Sequence, residues 1–199
     1  MNNILQKKLI SSISSISSMK RKIIIGTVLL VLFIQIFQID KINPPVDSSI
    51  DFIEMTNPMA QVKSILKTSC YDCHSHETEY PWYSNIAPVS WWIKDHINDA
   101  REELNFSEWG TYDLRKSNHK LDEMGEEVEE GNMPLTSYTY GHSDARLTEE
   151  QRQILVNWAK SLIRERNQDH EISRESRDTR EMRGGKGRGE PFTNAERIK

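Results

Sequence analysis

Cys70 and Cys73 are the only cysteines of the chain, and they stand two residues apart with a histidine directly after them, in the run Cys70-Tyr71-Asp72-Cys73-His74. On a helical turn this spacing puts two thiols and an imidazole side by side. Each thiol can form a thioether to a vinyl group of a porphyrin, and the neighbouring imidazole can then ligate the iron from below. C-x-x-C-H is the attachment pattern of c-type haem, which makes Cys70 and Cys73 the candidate covalent anchors and His74 the candidate proximal ligand of one haem c. The sixth iron position calls for a second donor. Met133 in Gly131-Asn132-Met133-Pro134 suits it, because glycine and proline favour a turn-bounded loop that frees the thioether from helix packing. His142, nine residues on, is the rival.

Other chemistries use the same residue types. A disulfide would need an oxidising compartment, and a thioredoxin-like dithiol would need a nearby βαβ pattern, which the sequence does not show. Zinc needs four ligands, and with no second Cys or His pair only a cramped set of Cys70, Cys73, His74 and His76 is on offer. His76, His119 and His142 read as ordinary surface histidines. His96 shares an apolar stripe with Trp92 and Ile93, so it is expected in the pocket wall, as a core residue or a propionate partner. Trp82 is a second pocket candidate, although Trp82, Tyr83, Trp91 and Trp92 are expected first of all to pack the core.

The elements that must position these residues read as helices. Pro58 opens one with Val62, Ile65 and Leu66 on a face, ending at the cysteine motif. Pro88 opens a second with Val89, Trp92, Ile93, Ile97, Ala100 and Leu104 as its buried stripe. A third runs from Asp113 to about Glu130, stopped by Gly131, with Leu114, Leu121, Met124 and Val128 inward. The fourth starts at a capping box, Thr148-Glu149-Glu150-Gln151, and buries Ile154, Leu155, Trp158, Leu162 and Ile163. No segment alternates like a strand. The fold class expected is all-α, a cytochrome c-like helical domain around a covalently bound haem, preceded by one transmembrane helix.

That helix is expected over residues 23–39, an uncharged apolar run weakened at its far end by Gln35 and Gln38. Seventeen residues give roughly 26 Å of helix, the short end of what spans a bilayer. Lys7, Lys8, Lys20, Arg21 and Lys22 precede it without an acidic residue, which puts residues 1–22 in the cytoplasm and the rest outside. No small-residue cleavage site follows, so an uncleaved signal anchor in the cytoplasmic (inner) membrane is expected, with the haem domain on the periplasmic side. Asn43-Pro44-Pro45 breaks the helix and opens a linker over 40–57. The haem domain is expected over 58–165, and a charged disordered tail over 166–199. The Ser/Ile repeat at 11–18 is low-complexity.

Net charge is +5 over residues 1–22, −11 over 40–160 and +2 over 161–199, for a total of −4. An acidic outer domain argues against nucleic acid as a partner and suits a basic electron-transfer protein. The Arg/Gly run at 183–189 lies on the wrong side of the membrane for RNA.

Taken together, Cys70-Tyr-Asp-Cys73-His74-Ser-His76-Glu-Thr78, Tyr80-Pro81-Trp82-Tyr83, Pro88-Val89-Ser90-Trp91-Trp92, His96, Gly131-Asn-Met133-Pro134 and the closing helix with Trp158 resemble the bacterial haem-binding domain family over about residues 43–164. The resemblance implies haem c binding and electron transfer, with no assigned reaction and no catalytic residue. The competing expectation is a peroxidase-like enzyme or a gas or redox sensor with an open or displaceable sixth position.

Overall fold

Prolines, caps and apolar spacing set the helix boundaries in the computed structural model, which describes residues 19–184. Every regular element among them is helical, and no strand occurs there. The chain forms two compact units. The first comprises the residues up to Thr56 together with Cys70–Trp109, and the second comprises Asn57–Ser69 together with the chain from Gly110 onward.

The first unit begins with α1, residues 19–34, which turns at 35–37 into an extended segment. A short 3-10 turn at Ser48–Ile50 and α2 (Phe52–Thr56) follow, then α4 (Tyr71–His74), a 3-10 turn at Trp82–Asn85 and α5 (Val89–Glu103). Its core is aromatic. Phe52 and Tyr71 both stack on Phe106, at 4.9 and 5.0 Å between ring centres, and Trp109 meets Phe52 edge-on at 4.5 Å. Such pairs add about 0.5–1.5 kcal/mol each beyond the burial of their area. Asp51 begins α2 by accepting from the Ile53 backbone N–H at 3.0 Å and the Tyr71 hydroxyl at 2.9 Å, and both it and Tyr71 are buried. The segment expected as linker, 40–57, therefore carries the buried residues Asp51, Phe52 and Ile53.

In the second unit α3 (Ala60–Ser69) buries Val62, Ile65 and Leu66, the face expected of it. The helix α6 (Leu114–Glu129) starts where Asp113 accepts from the Lys116 N–H and buries Leu121 and Val128. It lies antiparallel to α8 (Glu149–Gly184), since Arg152 near the start of α8 bonds the Val128 carbonyl while Arg166 further along bonds Ser117 Oγ. The capping box is reciprocal: Gln151 N–H donates to Thr148 Oγ1, and the Thr148 N–H donates to Gln151 Oε1. Leu155, Val156, Ala159 and Leu162 supply the buried face of α8. Between α6 and α8 lies the short helix α7 (Thr136–Gly141).

Three expectations are corrected, and a fourth, the membrane-spanning helix, finds no support among the described residues. No helix among the described residues is long and apolar enough to cross a membrane, because α1 stops at residue 34 where Gln35 turns its amide to the Val31 and Ala87 carbonyls. The stripe of α5 is not buried as a whole: Ile97 is, but Val89 and Trp92 are exposed. Trp82 and Trp91 are exposed as well, and the core role falls to Phe52, Tyr71, Phe106 and Trp109. The tail expected to be disordered from 166 instead continues α8 to Gly184, with opposite charges three or four residues apart, as in Glu171 and Arg174. The expectations for residues 1–18 and for 185–199, including most of the Arg/Gly run, fall outside the described residues.

Candidate functional site

Cys70 precedes α4 directly, and its carbonyl accepts from the Cys73 and His74 N–H groups at 3.2 and 3.0 Å, closing one helical turn. The turn is held from both ends. Ser75 is fully buried and donates its hydroxyl to the Tyr71 carbonyl at 2.7 Å, while the Tyr71 ring is wedged into the aromatic core. Cys70, Cys73 and His74 are each half-buried, and both thiols are free. Burial pushes Cys70 up to about 12, helped by Cys73 beside it. Burial likewise pushes Cys73 up to about 11, with Asp72 adding to the rise and Arg101 opposing it. Both sulfurs are thus held as neutral thiols.

The imidazole of His74 is fixed by the far end of α5. Its Nδ1 lies 3.0 Å from the Ala100 carbonyl and 3.0 Å from the Leu104 carbonyl. Carbonyl oxygens only accept, so the ring proton sits on Nδ1 and the lone pair is on Nε2. Burial holds the ring below its ordinary value, with the two carbonyls pulling the other way, which keeps Nε2 unprotonated. A neutral imidazole whose other nitrogen is anchored to backbone is the form in which histidine ligates a metal.

Arg101 ties this turn to the rest of the first unit. Its Nε donates to the Ser75 carbonyl at 2.8 Å, and its Nη2 donates to Asn43 Oδ1 and Thr78 Oγ1 at 3.0 Å each. Thr78 in turn donates to the Asp72 carbonyl at 2.6 Å, inside the motif itself. Sequence reasoning overlooked Arg101. Its only signal there is a single cation among Asp99, Glu102 and Glu103.

The other histidines fall into place by their partners. His76 donates from Nδ1 to the Pro45 carbonyl at 3.2 Å and accepts at Nε2 from Asn105 at 3.0 Å, so both its nitrogens are engaged. His96 donates back to the Trp92 carbonyl of its own helix at 2.9 Å and lies half-buried against the Trp92 ring. Trp82 stands out from its 3-10 turn, edge-on to Tyr83 at 5.7 Å. His119 is exposed beside Glu123. No group of three or more Cys, His, Asp or Glu among the described residues is arranged to hold a metal ion.

Met133 belongs to the second unit. Gly131 takes a left-handed φ of 82°, the conformation that favours glycine, and turns the chain out of α6. The Met133 N–H then donates to the Glu127 carbonyl at 3.0 Å, and its own carbonyl accepts from Arg152 at 3.2 Å. The backbone of the loop is therefore pinned on both sides of a half-buried methionine. His142 stacks on Tyr138 at 4.2 Å, with Nδ1 toward the Tyr138 carbonyl.

A family model for a haem-binding domain matches residues 29–161, and so takes in the cysteine motif, α5, the Met133 loop and the start of α8. The chain belongs to the haem-binding domain family. No curated protein and no solved structure matches it. The haem-binding protein carries a donor set that fits its cofactor: two free, adjacent thiols and one imidazole with its Nε2 lone pair available.

Proposed function

We propose that this haem-binding protein is a membrane-anchored c-type carrier of single electrons, working outside the cytoplasmic membrane. The observation that carries the reading is the pinned His74 one helical turn from two free thiols. In it Cys70 and Cys73 would hold the porphyrin, each sulfur bonding one vinyl carbon while its hydrogen goes to the neighbouring carbon. His74 Nε2 would hold the iron, with Met133 sulfur as the second donor. The iron, when bound, would supply reversible one-electron chemistry, and two protein donors would leave no room for a substrate.

The protein's own part is to hold the donors. Ala100 and Leu104 orient the imidazole, Arg101 and Ser75 brace the turn behind it, and Arg152 fixes the Met133 backbone. Trp82 and His96 stand as outer pocket residues. The net charge of −11 over residues 40–160 supports a basic protein partner, with association that slows as salt is added. Anchoring is supported by α1, whose Ile23, Ile24, Val28, Leu29, Leu30, Leu32 and Phe33 are all exposed. An apolar surface of that extent on every side of a helix calls for an apolar covering.

Mass spectrometry of the matured, denatured protein is expected to show the polypeptide plus one haem, and the bare polypeptide mass would end the c-type reading. A low-spin spectrum that turns high-spin and binds carbon monoxide rapidly in Met133→Ala is the second expectation. An unchanged spectrum refutes Met133 as distal donor and turns attention to His142. A wild-type protein that is already high-spin supports the enzyme or sensor reading instead.

A further inference from the structure

The C-terminal end of α1 is closed in a way that a water-exposed helix end does not require. Helices leave their last four carbonyls without intrahelical partners, and in solution water serves them. Here every carbonyl from residue 31 to residue 37 accepts a protein hydrogen bond. Gln35 Nε2 serves Val31 at 3.0 Å, and the Gln35, Ile36 and Phe37 N–H groups serve Leu32, Phe33 and Ile34. Gln38 serves Gln35 through its side chain and Ile36 through its backbone. The last of the series, the Phe37 carbonyl, accepts from Trp91 Nε1 at 2.7 Å, a donor on α5 more than fifty residues away.

Gln35 also grips the turn that precedes α5. Its Nε2 donates to the Ala87 carbonyl and its Oε1 accepts the Ala87 N–H, both at 2.9 Å. The start of α5 is therefore fixed to the end of the apolar helix. On that same turn Ile86, Val89 and Trp91 are 44, 42 and 40% exposed, next to an apolar helix that is itself exposed.

We infer that this turn is a lipid-docking surface, and that Ile86, Val89 and Trp91 sit in the headgroup region of the bilayer that holds α1, so that the first unit rests on the membrane. The inference depends on the anchoring reading above. Three observations favour lipid over a protein partner. Full backbone satisfaction is what hydrocarbon demands, where an unpaired carbonyl costs several kcal/mol. Tryptophan, with an apolar ring and one donor, is enriched at the bilayer interface. The apolar helical stretch is also short: residues 23–34 give only about 18 Å against a hydrocarbon thickness of about 30 Å, and such a mismatch draws the flanking residues inward. Here those flanking residues are the clamp itself.

The haem-loaded full chain in nanodiscs of phosphatidylcholine and phosphatidylglycerol, doped with a phospholipid bearing a photoreactive diazirine either near the headgroup or at the acyl end, tests this by peptide mapping of the crosslinks. The headgroup probe is expected to label residues 86–91 as well as 37–42, and the acyl-end probe to label 23–34 alone. The double variant Gln35→Leu, Trp91→Phe removes the clamp while keeping the apolar groups. It should cut headgroup labelling of 86–91 at least fivefold and leave labelling of 23–34 unchanged. Label on 23–34 with none on 86–91 overturns the docking surface and leaves the anchor standing. Absence of acyl-end label from 23–34 overturns both.

Discussion

Replacing Arg101 removes a brace that no neighbouring side chain duplicates. Its guanidinium spans three acceptors on two separate stretches of chain: the Ser75 carbonyl and Thr78 Oγ1 just after the cysteine motif, and Asn43 Oδ1 in the segment after α1. Three hydrogen bonds from a charged donor set an upper bound of roughly 4.5–9 kcal/mol at 1.5–3 each. The side chain is half-buried, so water regains part of that in the variant, and single substitutions rarely exceed 4–5 kcal/mol. Arg101→Met, which keeps the aliphatic stem, is then expected to cost about 2–4 kcal/mol. At about 2–4 °C per kcal/mol for a chain of this size, Tm falls by about 4–16 °C. Arg101→Lys retains the charge without the planar fork, and it should recover less than half of the loss. Denaturant unfolding of the haem-loaded protein measures both. Since the bonded Ser75 follows His74 directly and Thr78 lies four residues on, Arg101→Met should also broaden the low-spin haem signals. A loss under about 0.5 kcal/mol with unchanged spectra, or full recovery by lysine, refutes the bracing role.

Tyr71→Phe keeps the stack on Phe106 but strips the buried Asp51 of its hydroxyl partner, and equilibrium unfolding should show a loss of about 1.5–3 kcal/mol, the range for a hydrogen bond to a charged group. A loss below 0.5 kcal/mol would show that the carboxylate does not depend on that bond. In the haem-free chain, thiols pushed up to about 12 and 11 are almost wholly protonated at pH 8, so alkylation should run roughly two orders of magnitude slower at Cys73 and roughly three at Cys70 than for an ordinary thiol of pKa about 8.5. Because the thiolate reacts, the rate should keep rising about tenfold per pH unit past pH 9, and a plateau by pH 9 contradicts the burial of the two sulfurs.

What the sequence made legible is what depends on neighbours along the chain. The caps at Asp113 and Thr148 and the inward face of α3 follow from spacing of three or four residues and hold in the structure, whereas on α8 Leu155 and Leu162 are buried as expected but Val156 and Ala159 complete the face while Ile154, Trp158 and Ile163 are half-buried. The cysteine motif is equally local, since its chemistry lies within one turn. The contacts that orient it are not local: His74 is set by carbonyls of residues 100 and 104, which every residue type possesses, and no side-chain pattern can announce them. The same holds for the aromatic core. Phe52, Phe106 and Trp109 lie in short helical pieces without a full period of apolar residues, so their burial depends on contacts across dozens of positions.

The misread stripe of α5 has a physical cause that bears on function. Apolar spacing reports that a face prefers cover, without saying what provides it. On α3 the cover is protein, and the face is buried. On α5 Ile97 is buried by protein, while Val89, Trp91 and Trp92 are left exposed. The N-terminal end of this helix calls for cover other than its own chain, and on the readings proposed above that cover is lipid at Val89 and at Trp91, which closes the Phe37 carbonyl, and haem at Trp92, which packs on the pocket residue His96. Substituting Trp92 should therefore perturb the haem spectrum, and substituting Trp91 should leave it intact.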